Sequence, residues 1–277
     1  QTNIEDLTWE IIRLCKDIQP KVIVCENVKG LTMSYAIDHL NKMVKDFESI
    51  GYTTTYKVMS GVNYGVPQKR ERVFIVSIRN DVLEDVGLNF MTINNVFPEP
   101  IDEDLSIRTA ISDLHDNEFN KKEAEELREY MKKTTKYKWL IKMPKNPNRV
   151  MSVGDDVVTP HYQELYEKGE IKKDEIKNSF FQSRRVPWNQ ASHTLLETGL
   201  QPSVAAHIHP SEDRVFTTKE AGRLMTLPDD FILTGKLGQR LARIGLMGAP
   251  LQMHYLSKSI YSNVLKPYKE KHNDTNH

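Results

Sequence analysis

Two short constellations in this sequence hold side chains able to handle a ligand. Glu26-Asn27-Val28 sets a carboxylate and an amide directly after the apolar run Val22-Ile23-Val24-Cys25. In an open α/β sheet, ligand-handling residues collect where strands end, so both groups are placed to meet a substrate. A tripeptide alone is a weak signal, because a carboxylate at a strand end is commonly just solvated. Gln68-x-Arg70-x-Arg72, at the entry to Val73-Phe74-Ile75-Val76-Ser77, is a stronger one. Arginines spaced by two on a strand point to one face, where their planar forks can grip phosphates or a base edge. The alternative is a pair of solvent-facing arginines with ordinary surface partners.

The elements that must position these groups alternate as strand, helix, strand, loop, strand. A helical pattern (Leu7, Ile11, Ile12, Leu14, Cys15) runs up to Pro20. Val22 to Cys25 reads as a strand buried on both faces. Tyr35 to Ser49 reads as a helix with Ile37, Leu40, Val44 and Phe47 on one stripe and Gly51 as its stop, followed by a strand from Tyr52 to Val58. This is one half of a doubly wound sheet, and its other half is missing. From about Ser106 the chain turns to polar helices and irregular segments. Ser106 caps a helix through Leu114, Lys121 to Lys133 forms a charged helix, and Asn146 to Asp156 reads as loop. Thr217-Thr218-Lys219-Glu220 opens a helix that Pro228-Asp229-Asp230 ends. A final amphipathic helix covers Leu251 to Leu265, and Lys269 to His277 reads as a disordered tail. The expected division is 1–106, 107–240 and 241–277.

With 277 residues, 39% of them hydrophobic, the chain can build one large domain or two modest ones with real cores. Its 38 basic and 38 acidic residues cancel, so any binding of nucleic acid must come from a local basic surface. Cys15 and Cys25 are the only cysteines, and no Cys/His cluster has metal-ligand spacing, which excludes a disulfide framework and a structural zinc site. The paired His207 and His209 have no third ligand in the pattern and read as surface residues. No apolar run approaches the ~20 residues that span a bilayer, and no signal segment opens the chain. A cytoplasmic protein is expected, nucleoid-associated if bacterial. Gln1 is not an initiator Met and a helical pattern begins at once, which reads as a fragment, a processed chain or one subunit of a divided protein.

It is the joint occurrence of three blocks that resembles a family. Lys21 to Leu31, Tyr64 to Phe74 and Arg214 to Phe231 look like signature blocks of DNA cytosine-5 methyltransferases, in that order, with a variable stretch from Ile107 to Pro210. The resemblance implies the C-terminal half of a doubly wound, Rossmann-like α/β methyltransferase sheet plus a smaller, irregular target-recognition domain. It implies that a thiolate attacks C6 of an extruded cytosine and that S-adenosyl-L-methionine supplies a methyl group to C5. Glu26 would donate to N3, its protonated form favoured beside an apolar strand, and Asn27 would orient the loop around the catalytic cysteine. Arg72 and Arg70 would reach the base O2 or the flanking phosphates. DNA contacts fall to Arg184 and Arg185, with Trp188, His193, Thr194 and the two histidines nearby. Gln68 is also a DNA-contact candidate, though better placed to brace its loop. Arg214, Thr217, Glu220 and Arg223 would be scaffold.

The sequence also departs from that pattern. It contains no Pro-Cys dipeptide and no glycine-rich cofactor loop, and neither Cys15 nor Cys25 is offered as the nucleophile. In Ile244-Gly245-Leu246, leucine stands where the family has asparagine, so cofactor contact from Gly245 and Leu246 is in doubt. The resemblance therefore implies a part of an enzyme. Most of its S-adenosyl-L-methionine pocket and its nucleophile would come from an N-terminal methyltransferase subunit or segment, docked at the open sheet edge near Val22 to Val24. Its substrate would be double-stranded DNA, in a restriction-modification setting. Two alternatives stay open: a non-catalytic methyltransferase-like regulatory or DNA-binding protein, and an enzyme acting on RNA.

Overall fold

The computed structural model describes residues 4–273 except 102, 104, 136, 177–182 and 198–206. These residues divide into two units, 1–64 with 71–101 and 252–277, and 65–70 with 102–251. The hexapeptide 65–70 leaves the first unit for the second, and 241–251 stays with the second. The second unit holds the larger share of the chain, where a smaller domain was expected.

In the first unit, α1 (Ile4–Ile18) leads to β1 (Val22–Val28), α2 (Ile37–Ser49) and β2 (Tyr52–Ser60). The short β3 (Gln68–Lys69) belongs to the second unit, and the chain returns as β4 (Glu71–Arg79) and α3 (Asn80–Asp85). Gly51, with φ of 93°, turns the end of α2 into β2, a conformation that costs glycine nothing. The strand order is β1-β4-β2, and β4 runs antiparallel to both neighbours. The expected half of a doubly wound sheet carried no strand directions, and the reversal of β4 was not in the sequence pattern. The crossover through α2 lets β1 and β2 run the same way, but the short return from β2 brings β4 back in the opposite sense between them.

Burial also moves one strand over. Val73, Phe74, Ile75, Val76 and Ile78 of β4 are buried on both faces, whereas β1 alternates, with Ile23 in and Val24 and Val28 exposed. The central strand has helices on either side. Phe74, Val76 and Ile78 pack with Leu256, Ile260 and Val264, while Val73 and Ile75 pack with Leu40, Met43 and Phe47 of α2.

The second unit contains α4 (Ile107–Ile111), α5 (Glu118–Lys132), α6 (Tyr137–Leu140), α7 (Thr159–Glu167), α8 (Thr218–Leu224) and α9 (Leu237–Leu246), with the two-residue strands β5 (Met151–Ser152), β6 (Arg184–Arg185), β7 (Ser192–His193) and β8 (His207–Ile208). Ser106 caps α4 through Thr109 N at 3.2 Å, as its type predicts. Thr217 and Glu220 cap α8 reciprocally, Glu220 N donating to Thr217 Oγ1 at 3.1 Å and Thr217 N to Glu220 Oε2 at 2.9 Å. The sequence pattern did not reveal α7 or α9. The last helices, α10 (Pro250–Ile260) and α11 (Lys266–Asn273), carry helix through most of the tail expected to be disordered; 274–277 lie outside the described residues. Lys271 Nζ at 2.6 Å and His272 Nε2 at 2.8 Å from the Asp85 carboxylate tie α11 to α3.

Candidate functional site

β1 runs through Glu26-Asn27-Val28 rather than ending before it. Its register sets Val28 opposite Arg72 and Glu26 opposite Phe74, so Glu26 and Arg72 are diagonal neighbours on one sheet face. Arg72 Nε lies 3.0 Å from Glu26 Oε1, with side-chain exposures of 13% and 29%. Burial moves the Arg72 guanidinium down from its usual value, and Glu26 opposes that shift. Lys29, just past the strand end, bonds both Glu71 oxygens at 2.9 and 3.0 Å. The sequence did not suggest this second pair, because only the register brings the strand ends together. Glu26 is thus partly exposed and paired with a cation, which corrects the expectation of an acid desolvated against an apolar strand. Asn27 faces the other side of the sheet by alternation, and its Oδ1 accepts from Val28 N at 2.8 Å.

The expected convergence of Glu26, Arg70 and Arg72 is reduced to two residues. Arg70 is only 1% exposed in the second unit, where it donates to Leu195 O (3.2 Å), Gly245 O (3.2 Å) and Met247 O (2.8 Å). Its guanidinium is buried against these carbonyls, so it holds their segments together instead of reaching a base. Gln68 is fully buried; its Nε2 donates to Leu224 O at 3.2 Å and its Oε1 accepts from Leu195 N at 2.9 Å. That removes it as a DNA contact and leaves the bracing role.

Arg185 is buried as well, bonding His209 O (2.7 Å), Glu212 O (2.8 Å) and Asp213 Oδ1 (2.7 Å). It is not a DNA contact; strand alternation leaves its neighbour Arg184 partly exposed. Trp188 Nε1 donates to Ser211 Oγ at 2.8 Å, within the unit's own packing. Thr194 Oγ1 donates to Lys69 O at 2.9 Å.

Below these lies a buried polar network. Arg214 Nη1 meets Glu220 Oε2 at 2.7 Å and its Nη2 meets Glu212 Oε1 at 2.7 Å, while Asn120 Nδ2 donates to Glu220 Oε1 at 3.1 Å. Burial alone would raise Glu212, but the hydrogen bond and charge of Arg214 hold it at about 2. His209 is buried, not the surface residue expected. Burial, then the neighbouring Arg214, pushes its imidazole down to about 4. A cavity of about 560 Å³ opens beside this network, lined by Trp188, His209, Arg214 and Glu220. These polar groups already bond one another. Among the described residues no three His, Cys, Asp or Glu side chains are grouped to hold a metal, and no helix is long and apolar enough to cross a membrane.

The family model of C-5 cytosine-specific DNA methylases matches residues 1–261. The chain belongs to the C-5 cytosine-specific DNA methylase family. It is 31% identical over 255 residues to the type II methyltransferase M.NgoFVII of Neisseria gonorrhoeae, covering 92% of this chain and 62% of that protein. It is 28% identical over 251 residues to M.Eco47II of Escherichia coli, covering 86% and 53%. The chain thus spans a little over half the length of the curated relatives it matches. Solved structures show the same fold. A DNA modification methyltransferase encoded within an E. coli prophage superposes with a TM-score of 0.58 at 18% identity, over 95% of this chain and 74% of that one. Entamoeba histolytica methyltransferase EhMeth gives 0.54 at 13%, over 92% and 69%.

C-5 cytosine methylases use S-adenosyl-L-methionine as methyl donor. Of the two residues expected near it, Gly245 packs where a Cβ would collide with the backbone of Leu196, and Leu246 is apolar and 63% exposed.

Proposed function

We propose that this chain is the base-holding and DNA-reading part of a DNA cytosine-5 methyltransferase, with Glu26 and Arg72 gripping a cytosine extruded from duplex DNA. The observation that carries the reading is the 3.0 Å pair itself, partly open to solvent on the sheet face. A cytosine edge presents O2 and N3 as acceptors and its amine as donor. Arg72 donates to O2, and Glu26 shares a proton with N3. Addition of a thiolate at C6 pushes electron density toward N3, so a proton held there stabilises the transition state. A base filling the site also displaces the water that now reaches Glu26.

The thiolate would come from a segment other than these residues. Burial raises Cys15, and burial with a smaller contribution from Cys15 pushes Cys25 up to about 11, so both are thiols near neutral pH. The free edge of β1, with Val24 and Val28 exposed, and the exposed Ile11, Leu14 and Ile18 of α1 suit the docking of an N-terminal methyltransferase segment that also carries the cofactor site.

The test combines this chain with a cysteine-bearing N-terminal methyltransferase segment, labelled methyl donor and duplex DNA. Glu26→Gln should cut methyl incorporation by ~10²-fold or more, since the amide cannot supply the proton, and leave DNA affinity near wild type. Equal rates for Glu26→Gln and wild type would sink the reading. Exposed Leu246 favours a second reading, a non-catalytic DNA-binding relative. DNA binding with no methyl incorporation in any combination selects it. Competition by transfer RNA distinguishes an RNA substrate.

A further inference from the structure

Between Lys132 and Arg149 the chain carries seven basic residues and no acidic one, in a molecule whose formal charge is zero. This stretch leaves α5, forms α6 and continues one further turn, with Ile141 N donating to Tyr137 O at 3.1 Å and Met143 N to Leu140 O at 3.0 Å. Leu140 and Met143, three apart, are buried in the core of the second unit. Helical spacing then turns Lys138 and Lys142, four apart, outward, and both are exposed.

The two ammonium groups share one platform. Lys138 Nζ lies 5.1 Å and Lys142 Nζ 4.9 Å from the ring centroid of Trp139. His161 and Tyr162 from α7 border the same ring, with centroids at 5.1 and 6.3 Å. Three of the other basic residues of the stretch are matched, Lys132 by Glu129, Lys145 by Asp213 and Arg149 by Asp156. Lys138 and Lys142 have no carboxylate at ion-pair distance among the described residues, and Glu164 on α7 is held by Lys168. Two like charges within about 5 Å of one ring centroid repel each other, and the arrangement becomes favourable when an anion bridges them.

We propose that Lys138 and Lys142, arrayed on Trp139, form a clamp for the phosphate backbone of DNA in the second unit. The proposal rests on the reading that this chain acts on duplex DNA, and it assigns the contact to a segment other than Arg184 and Arg185. Binding at such a clamp releases condensed counterions, so each contact adds ~0.9 to the slope of log affinity against log salt.

The experiment measures anisotropy of a labelled mixed-sequence duplex with the full 277-residue chain over a series of salt concentrations. The double change Lys138→Gln with Lys142→Gln should lower the slope by about 1.8 and weaken binding throughout the series. Lys138→Arg with Lys142→Arg should keep the wild-type slope. Lys42→Gln with Lys266→Gln, removing two lysines of the first unit that pair with Asp46 and Glu270, should also keep it. An unchanged slope in the Lys138/Lys142 glutamine pair, or an equal drop in the Lys42/Lys266 pair, overturns the clamp alone. Failure of the wild-type chain to bind duplex at any salt overturns the DNA-acting reading with it.

Discussion

Two carboxylate–guanidinium pairs in this molecule use the same chemistry to opposite ends. Glu26 and Arg72 meet on the rim of a sheet with part of each side chain in water. Glu220 and Arg214 meet with about 2% of each residue exposed, surrounded by Asn120, Thr217, Glu212 and His209. An exposed ion pair contributes about 0–1 kcal/mol to stability because water competes for both partners, which leaves it free to exchange one partner for a ligand. A buried pair has already lost its water, so each partner depends on the other. Position, not residue type, separates a pair open to exchange from a pair closed to it.

The largest effect that could break this comparison comes from removing one buried partner. Glu220→Ala leaves Arg214 in the interior with its more buried carboxylate partner gone and only the partly exposed Glu212 to pair with, and should destabilise the protein by roughly 3–5 kcal/mol in urea unfolding. A loss below about 1 kcal/mol would show that the network is less dependent on this pair than its burial implies.

The next largest is a pH effect centred on His209. Its folded value of about 4 lies below the ordinary 6.5 of imidazole. The unfolded chain therefore takes up this proton first, and the stability contributed by the neutral, buried ring is fully present above pH 6.5 and is lost as pH falls from 6.5 to 4. The loss is on the order of 3 kcal/mol. His209→Asn should flatten that limb of a melting-temperature profile, while the acid limb from Glu212 remains, since the stability contributed by that carboxylate is fully present above 4.5 and is lost as pH falls from 4.5 to about 2. A profile of the same steepness between pH 4 and 6.5 in the variant would assign the limb to other groups.

The smallest stability effect is expected at the rim. Arg72→Ala should cost less unfolding free energy than Glu220→Ala, since its pair keeps some contact with water, yet remove most methyl transfer in the combined enzyme. A large stability loss would place Arg72 with the scaffold and erase the contrast.

Several elements in both units were legible because their signals are local. Helical stripes in α1 and α2, the positive-φ stop at Gly51, the cap of α4 at Ser106 and the reciprocal cap of α8 each lie within a few residues and each forms. The helices α7 and α9 were not legible: α7 buries no residue of its own, and α9 carries its apolar side chains among arginines and glycines. The direction of β4 was also out of reach, because a strand's apolar run records its burial but not the sense in which it inserts.

Of the candidate site, the sequence by itself determined the chemical inventory: a carboxylate at 26, guanidinium groups at 70 and 72, and the block order that marks the family. Only the tertiary structure decided which of them remain available. Arg70 finds its partners 125, 175 and 177 residues away, and Arg185 closes on a turn 24 to 28 residues on, while Arg72 meets Glu26 across a strand pair. Periodicity and capping act over one or two turns of chain, whereas burial of a charged group is settled by segments far apart in sequence, and so it is written only in the packed molecule.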